Sequence, residues 1–451
     1  MRILALQFVA PVRCRAAPRF APALGALLSL LKERGHELAL LGLTHYDEPA
    51  IKAALARHLP QMIYADVSCV CVDVARRSLQ HVQQREFLPV VAGGTLASVD
   101  PDACLSLPGV HAVAVGEPDA SLVTYLERLR DPAVGQVVLG VWVRDEHGQV
   151  RPSLPPLVEA LDSLPHPERD LFHYESHVRA TGELEISVGR GCPRRCGYCL
   201  NARLADRYSV GDGWTRRRPP EDVLDEIDAL RSRYPGARSV RFLDHAFALD
   251  EAWLTEFLDA YAARGGPPFR CHLRAGPTPP ERATMLARAG MRGADVEVIA
   301  GSDFIRNEIF AMDASDEQIV ALFDVLRSAG VARRAIVYAG APYESEASVD
   351  LTRRLLRRIA PDALDARPFY PFPGTAAHAR CRENGWLHTR GEWQYHNDRC
   401  GIDMPACRAD RVDAFVRELR AEFAGAARPA WWRRWARGAG ERLSQLLQRR
   451  R

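Results

Sequence analysis

Long apolar runs are missing from this chain of 451 residues: none reaches the roughly 20 residues that a membrane-crossing helix needs. Net charge is missing too. The 60 basic and 57 acidic residues leave only +3, which argues against a nucleic-acid partner. Lysine is scarce, since the basic residues are almost all arginine, a bias that gene base composition alone produces. No tandem repeat recurs at solenoid periods. The opening residues lack the charged n-region, long apolar h-region and small-residue cleavage site of a secretory signal. Together with an odd total of 11 cysteines, that points to a reducing, cytoplasmic setting rather than a disulfide framework.

What is present concentrates in one stretch. Cys192, Cys196 and Cys199 fall within Gly189-Arg190-Gly191-Cys192-Pro193-Arg194-Arg195-Cys196-Gly197-Tyr198-Cys199. Three thiolates do not fill the four ligand positions of a closed cluster or a structural zinc site. Zinc would need a fourth Cys or His close downstream, and the next ones are His245 and Cys271. On a 4Fe-4S cluster, three thiolates leave one iron with an open position. The spacing of three then two residues, the aromatic Tyr198 before the last cysteine, and the bending Gly and Pro resemble the signature of radical S-adenosylmethionine (SAM) enzymes.

The first 150 residues alternate apolar runs with helical patterns. Strands are expected at Ile3 to Val9, Leu38 to Leu43, Met62 to Val72, Val90 to Ala92 and His111 to Val115, with helices between them. Such alternation makes a doubly wound, Rossmann-like parallel sheet with its ligand beyond the carboxyl ends of the strands. Gly93-Gly94 after the fourth strand and Val115-Gly116-Glu117 after the fifth resemble the cobalamin-binding domain that precedes the radical SAM domain in one large subfamily. The resemblance implies a cobalamin lined by Ser68, Gly93, Gly94, Thr95, Gly116 and Glu117. The Asp-x-His-x-x-Gly motif that supplies an axial histidine in other cobalamin proteins is absent here, so the cobalt would carry no histidine from it. Without a ligand, the same glycines serve as turns of a Rossmann-like domain.

Prolines 152, 155, 156, 165 and 167 resist helix and central strand alike, which places a linker at 151–180. A partial barrel of strands and helices, (β/α)6 and TIM-like, is expected over 181–375, with a small helical region at 376–451. Glu185 to Val188 is a strand feeding the cysteine loop, which puts the cluster at the carboxyl-terminal mouth of the barrel. Strands ending at Asp244 and Arg274, the segment Gly340-Ala341-Pro342-Tyr343-Glu344-Ser345 and the turn Pro373-Gly374-Thr375 all resemble radical SAM barrels. One departure stands out. Where the family runs Gly-Ile-Glu-Ser-Gly-Ser, this chain has Glu297-Val298-Ile299-Ala300-Gly301-Ser302, so the usual acid is Ile299 and an acid appears two residues earlier. Period-two alternation along a strand would place Glu297 on the same side as Ile299, in reach of the SAM ribose.

The resemblance implies that Cys192, Cys196 and Cys199 hold the cluster, and that Tyr198, Asp244, Arg274, Glu297, Gly301 and Ser302 contact SAM. It implies reductive cleavage of SAM to a 5'-deoxyadenosyl radical and, with cobalamin, methylation of an unreactive carbon of a small-molecule or lipid substrate. An electron donor such as flavodoxin or ferredoxin would feed the cluster. Rival readings are a cobalamin-assisted oxidation, cyclisation or rearrangement without methyl transfer, and a non-catalytic cluster or cobalamin sensor. At the C-terminus, Trp431, Trp432 and Trp435 interleave with Arg433, Arg434 and Arg437. That pattern suits either peripheral contact with the inner membrane face or a helix packed on the barrel with a solvated basic face.

Overall fold

The computed structural model describes residues 1–11, 18–130, 138–144, 147–148, 150 and 152–424. Two six-stranded sheets organise them. The first comprises β1 (Arg2–Phe8), β2 (Glu37–Leu43), β3 (Met62–Asp66), β4 (Val90–Gly93), β5 (Val110–Ala114) and β6 (Val141–Val143), in the spatial order β2-β1-β3-β4-β5-β6. β1 to β5 are parallel and β6 pairs antiparallel with β5. The chain steps outward from β1 to β2 and then returns past β1 to β3, so the winding reverses between β1 and β3; ligands of doubly wound sheets sit outside the carboxyl ends at such a reversal. The run Ile3–Phe8 is buried throughout, as a strand covered by helices on both faces requires. Local chemistry starts the helices: Pro22 opens Pro22–Glu33, and the side chains of Asp47 and Asp100 accept from Ala50 N and Ala103 N to cap the helices that follow them. Each cap contributes about 1 kcal/mol.

Two details differ from the sequence expectation. β3 stops at Asp66 rather than Val72, and residues 67–71 form a loop before the helix Val72–Arg85. Val67, Cys69, Val70 and Cys71 are nonetheless buried, so the loop carries the apolar composition of a strand. β6 has three residues, too few to show alternation.

The second sheet comprises β7 (Glu183–Ile186), then, after a short antiparallel hairpin of β8 (Gly189–Arg190) and β9 (Arg216–Arg217), β10 (Ser239–Phe242), β11 (Phe269–Arg274), β12 (Met291–Ile299), β13 (Ala332–Ala339) and β14 (Ala363–Pro368). Its order, β14-β13-β12-β11-β10-β7, is sequential and fully parallel, giving a curled half-barrel. The strands also bring together a network of buried charges. Arg270 bonds Glu183 at 2.7 and 2.8 Å and approaches Asp295 at 3.3 Å, Asp295 takes a second bond from Arg334 at 2.7 Å, and Arg241 meets Glu185 at 3.2 Å. A closed eight-stranded barrel fills its interior with branched apolar side chains; here the buried charges are matched, the condition for tolerating them.

The segments outside the two sheets are not passive. Tyr174, within the expected linker, starts a helix (Tyr174–Thr181) and packs its ring 5.1 Å from Phe20, with Arg169 stacked over both rings. Beyond β14 the chain forms helices Ala376–Glu383, Glu392–His396 and Ala409–Glu422 and reaches back to the first sheet. There the Glu392 carboxylate accepts from Val72 N and Asp73 N, and His396 Nε2 donates to Val70 O at 2.6 Å. The Trp/Arg tail lies outside the described residues, and among those described no helix is long and apolar enough to cross a membrane.

Candidate functional site

The cysteine loop leaves β7 and is shaped by glycines that have no room for a side chain. A Cβ on Gly191, at φ +82°, would lie 2.0 Å from Trp214 O, and one on Gly197 would lie 2.7 Å from Ile309 O. The second residue is also tied directly: Gly197 N donates to Phe310 O at 3.1 Å, and Gly197 O accepts from Ala377 N at 2.9 Å. Arg194 Nη2 donates to Met312 O at 2.7 Å. Cys192 and Cys196 are buried, and Cys199 is half-buried as the N-cap of the helix Leu200–Tyr208. Burial pushes the Cys192 and Cys199 thiols up from their ordinary values, so ionising them depends on a metal displacing the proton. A helix N-terminus and a neighbouring guanidinium both favour thiolate. Three such sulfur donors on one loop fit an iron–sulfur cluster.

Beside the loop runs a chain of charges. Arg274, at the end of β11, donates from Nη2 to Cys196 Sγ and to Tyr198 Oη, each at 3.0 Å, and from Nε to Glu297 Oε2 at 2.8 Å. The other Glu297 oxygen bonds His245 Nδ1, and the His245 ring stacks on His272 with centroids 4.2 Å apart. Its cationic neighbours His245 and Arg274 overcome burial and hold the Glu297 carboxyl down at about 2. His245 rises above its ordinary value: burial opposes its charge, but Glu297 outweighs it. One donor atom from each of His245, His272 and Glu297 lies within 4.8 Å of the others. Stacked rings aim their lone pairs in nearly parallel planes, however, so the group reads as a charge chain of His245, Glu297 and Arg274 with the His272 ring, its proton affinity lowered by burial, stacked on the end.

The alternation drawn for Glu297 and Ile299 fails. Glu297 pairs with Ile336 and Ile299 with Val337, adjacent residues of β13, because a bulge interrupts β12 between them. Neighbours on a strand face opposite sides, so Glu297 and Ile299 do too. Ile299 sits at φ +65°, a conformation rare for a β-branched residue and typical of functional sites. Asp244 lies under the cysteine loop: Val188 N donates to Oδ2 at 2.8 Å and Ser187 Oγ to Oδ1 at 3.2 Å. Burial raises its pKa, and those bonds limit the rise. Gly301 serves close packing, since a Cβ there would lie 2.3 Å from the backbone of Leu351 and Thr352. Buried Ser302 receives Ile305 N at 3.4 Å where the π-helix Phe304–Ile309 begins.

At the carboxyl edge of the first sheet, Gly93, Gly94 and Gly116 present backbone without Cβ. Gly94 (φ +87°) turns straight into a helix, and the space at Gly116 (φ +69°) is taken by Tyr208 Oη. Thr95 Oγ1 accepts from Cys69 N at 2.9 Å, beside half-buried Ser68. The protein itself fills these spaces: a Cβ on Gly93 would lie 2.2 Å from Tyr64 Oη and one on Gly94 2.6 Å from Asp66 Oδ1, so the glycines serve close packing of this edge. Glu117 is engaged elsewhere: its carboxylate takes bonds from Arg190 and Arg216, both at 3.0 Å. Arg190 also bonds Asp119 with both terminal nitrogens, at 2.6 and 3.1 Å. The loop after β5 is thereby tied to the hairpin that leads into Cys192.

Reading the sequence passed over His245, Arg190 and Asp119. His245 follows Asp244 at a strand exit, where polar residues of barrels gather, and that signal was available. Arg190 had none, because its partners lie 71 and 73 residues away.

The family model described as Radical SAM superfamily matches residues 186–356. A cytidylyl-2-hydroxyethylphosphonate methyltransferase of Streptomyces wedmorensis is 27% identical over 32% of this chain and 31% of its own length, so the chain spans about a third of that relative. Among solved structures, the radical SAM methyltransferase TsrM of Kitasatospora setae, with cobalamin and a [4Fe-4S] cluster bound, superimposes with TM-score 0.68 at 18% identity, covering 85% of this chain and 75% of TsrM. The cobalamin-dependent SAM radical enzyme OxsB, with aqua-cobalamin and SAM bound, gives TM-score 0.65 at 16% identity over 96% of this chain and 63% of OxsB. Identities this low speak for the fold. With the cysteine loop at the mouth of its half-barrel, the chain carries a radical SAM domain, set in the fold of TsrM and OxsB.

Proposed function

We propose that this protein is a cobalamin-dependent radical SAM methyltransferase that methylates an unactivated carbon of a small-molecule substrate. The observation that carries the reading is the cysteine loop itself: three sulfur donors at the half-barrel mouth, tied through Arg190 to the glycine-lined edge of the first sheet. When bound, the cluster and SAM supply a 5'-deoxyadenosyl radical, and cobalamin supplies a methyl carrier.

The chain's own residues bind, orient and exclude water. Cys192, Cys196 and Cys199 hold the cluster, and their loop is fixed from beneath by Asp244 and from the side by the backbone of residues 309–312. Tyr198, Arg274 and Glu297 stand beside Cys196 as the polar wall of the SAM site. Gly301 and Ser302 shape the wall next to the bulge at Ile299. Ser68, Gly93, Gly94, Thr95 and Gly116 line the cobalamin edge, with Glu117 holding that edge against the barrel. A one-electron donor of the flavodoxin or ferredoxin kind completes the reading, and a lipid substrate met through the C-terminal tail is its membrane variant.

Anaerobic incubation of the full chain with SAM, a low-potential reductant and hydroxocobalamin tests it. Formation of both 5'-deoxyadenosine and S-adenosylhomocysteine is the expected result. Deoxyadenosine alone would favour an oxidation or rearrangement, and neither product would leave the sensor reading.

A further inference from the structure

We infer that Arg274 and Glu297 set the reduction potential of the cluster, Arg274 raising it through Cys196 and Glu297 offsetting that rise. The inference rests on the cluster reading above and on nothing about cobalamin or substrate. Arg274 is 5% exposed, and of the arginines whose bonds are described it alone donates to a cluster cysteine, at 3.0 Å. Donation to a ligand sulfur draws electron density from it, and a fixed positive charge favours the reduced cluster, which carries one more electron; hydrogen bonds to sulfur and local charge are established determinants of such potentials.

Glu297 lies behind the guanidinium, bonded to its Nε at 2.8 Å and itself 5% exposed. Its negative charge acts in the opposite sense, from one group further away and partly balanced by the His245 cation on its other oxygen, so its effect is the smaller of the two. Both sit in a buried pocket where charges are poorly screened. The second Arg274 contact, to Tyr198 Oη at 3.0 Å, holds the guanidinium against the loop. A salt bridge too remote from the cluster, or too well screened, to act on it would leave the potential unmoved when either partner is neutralised. This arrangement predicts shifts of opposite sign.

The experiment is an EPR-monitored redox titration of the full-length, cluster-loaded enzyme without SAM, for wild type, Arg274→Gln, Arg274→Lys and Glu297→Gln, with iron content per chain measured alongside. Arg274→Gln is expected to lower the equilibrium constant for reduction about tenfold, which is ~59 mV for one electron. Arg274→Lys should fall between it and wild type, and Glu297→Gln should shift upward by a smaller amount. Unchanged potentials, or shifts of the same sign in Arg274→Gln and Glu297→Gln, overturn the inference. If Arg274→Gln does not load iron, Glu297→Gln decides: an upward shift supports the inference and none rejects it. A wild-type chain that binds no cluster would instead defeat the function proposed above.

Discussion

Replacing Arg190 with methionine should strand Asp119. That carboxylate is 2% exposed and takes two bonds from Arg190, at 2.6 and 3.1 Å. Glu117 keeps a bond from Arg216 at 3.0 Å after the change, so the loss falls mainly on Asp119. Breaking a buried pair from one side costs about 3–5 kcal/mol, because the remaining charge is uncompensated. The Arg190 side chain is 18% exposed, which lets water reach that end, and we expect the lower limit, about 3 kcal/mol. Adding Asp119→Asn removes the stranded charge and leaves a neutral polar group whose burial costs about 1–3 kcal/mol. The double variant should therefore be more stable than Arg190→Met alone. Urea unfolding followed by tryptophan fluorescence and far-ultraviolet circular dichroism, with the four members of the cycle compared, measures this. A loss under 1 kcal/mol for Arg190→Met, or losses that simply add in the double variant, would refute the claim that this buried pair ties the two sheets together.

Gly116→Ala combines an unfavourable φ of +69° with a clash, the added Cβ lying 2.0 Å from Tyr208 Oη; we expect about 2–4 kcal/mol of destabilisation. Tyr208→Phe should return part of it by clearing that oxygen, and urea midpoints of the single and double variants read the rescue. Glu344 is fully buried and its carboxyl is pushed up from 4.5 to about 7 by burial, against bonds from Gly340 N and Ala341 N. The folded chain therefore holds this proton where the unfolded chain releases it. Stability from this group is full below about 4.5 and declines as pH rises to about 7, by roughly 3 kcal/mol at ~1.36 kcal/mol per unit. Glu344→Gln should flatten that decline in unfolding measured from pH 4.5 to 8.

The parallel sheets were legible because their signal is local. Ile3–Phe8 is a short run that closes before Pro11, Phe269–Arg274 lies between Pro268 and Gly276, and the cysteine spacing is contained in eight residues, Cys192 to Cys199. Glu297 was noticed for its displacement from the usual acid, but its side of the strand was misjudged because a bulge is a property of two paired strands and not of one. The same holds for the tie between the sheets. Glu117 and Asp119 look like ordinary loop and helix acids until folding brings Arg190 and Arg216 to them. The buried apolar loop at residues 67–71 read as strand for a simpler reason: composition reports burial, and burial does not distinguish loop from strand.

The most direct measurement is EPR and Mössbauer spectroscopy of the full-length chain purified without air, reduced, and examined before and after SAM is added. The expected result is a [4Fe-4S] signal whose shape changes with SAM and which disappears when Cys192, Cys196 and Cys199 are replaced by alanine. A protein without iron–sulfur signal, or a signal that survives those three replacements, contradicts the central claim.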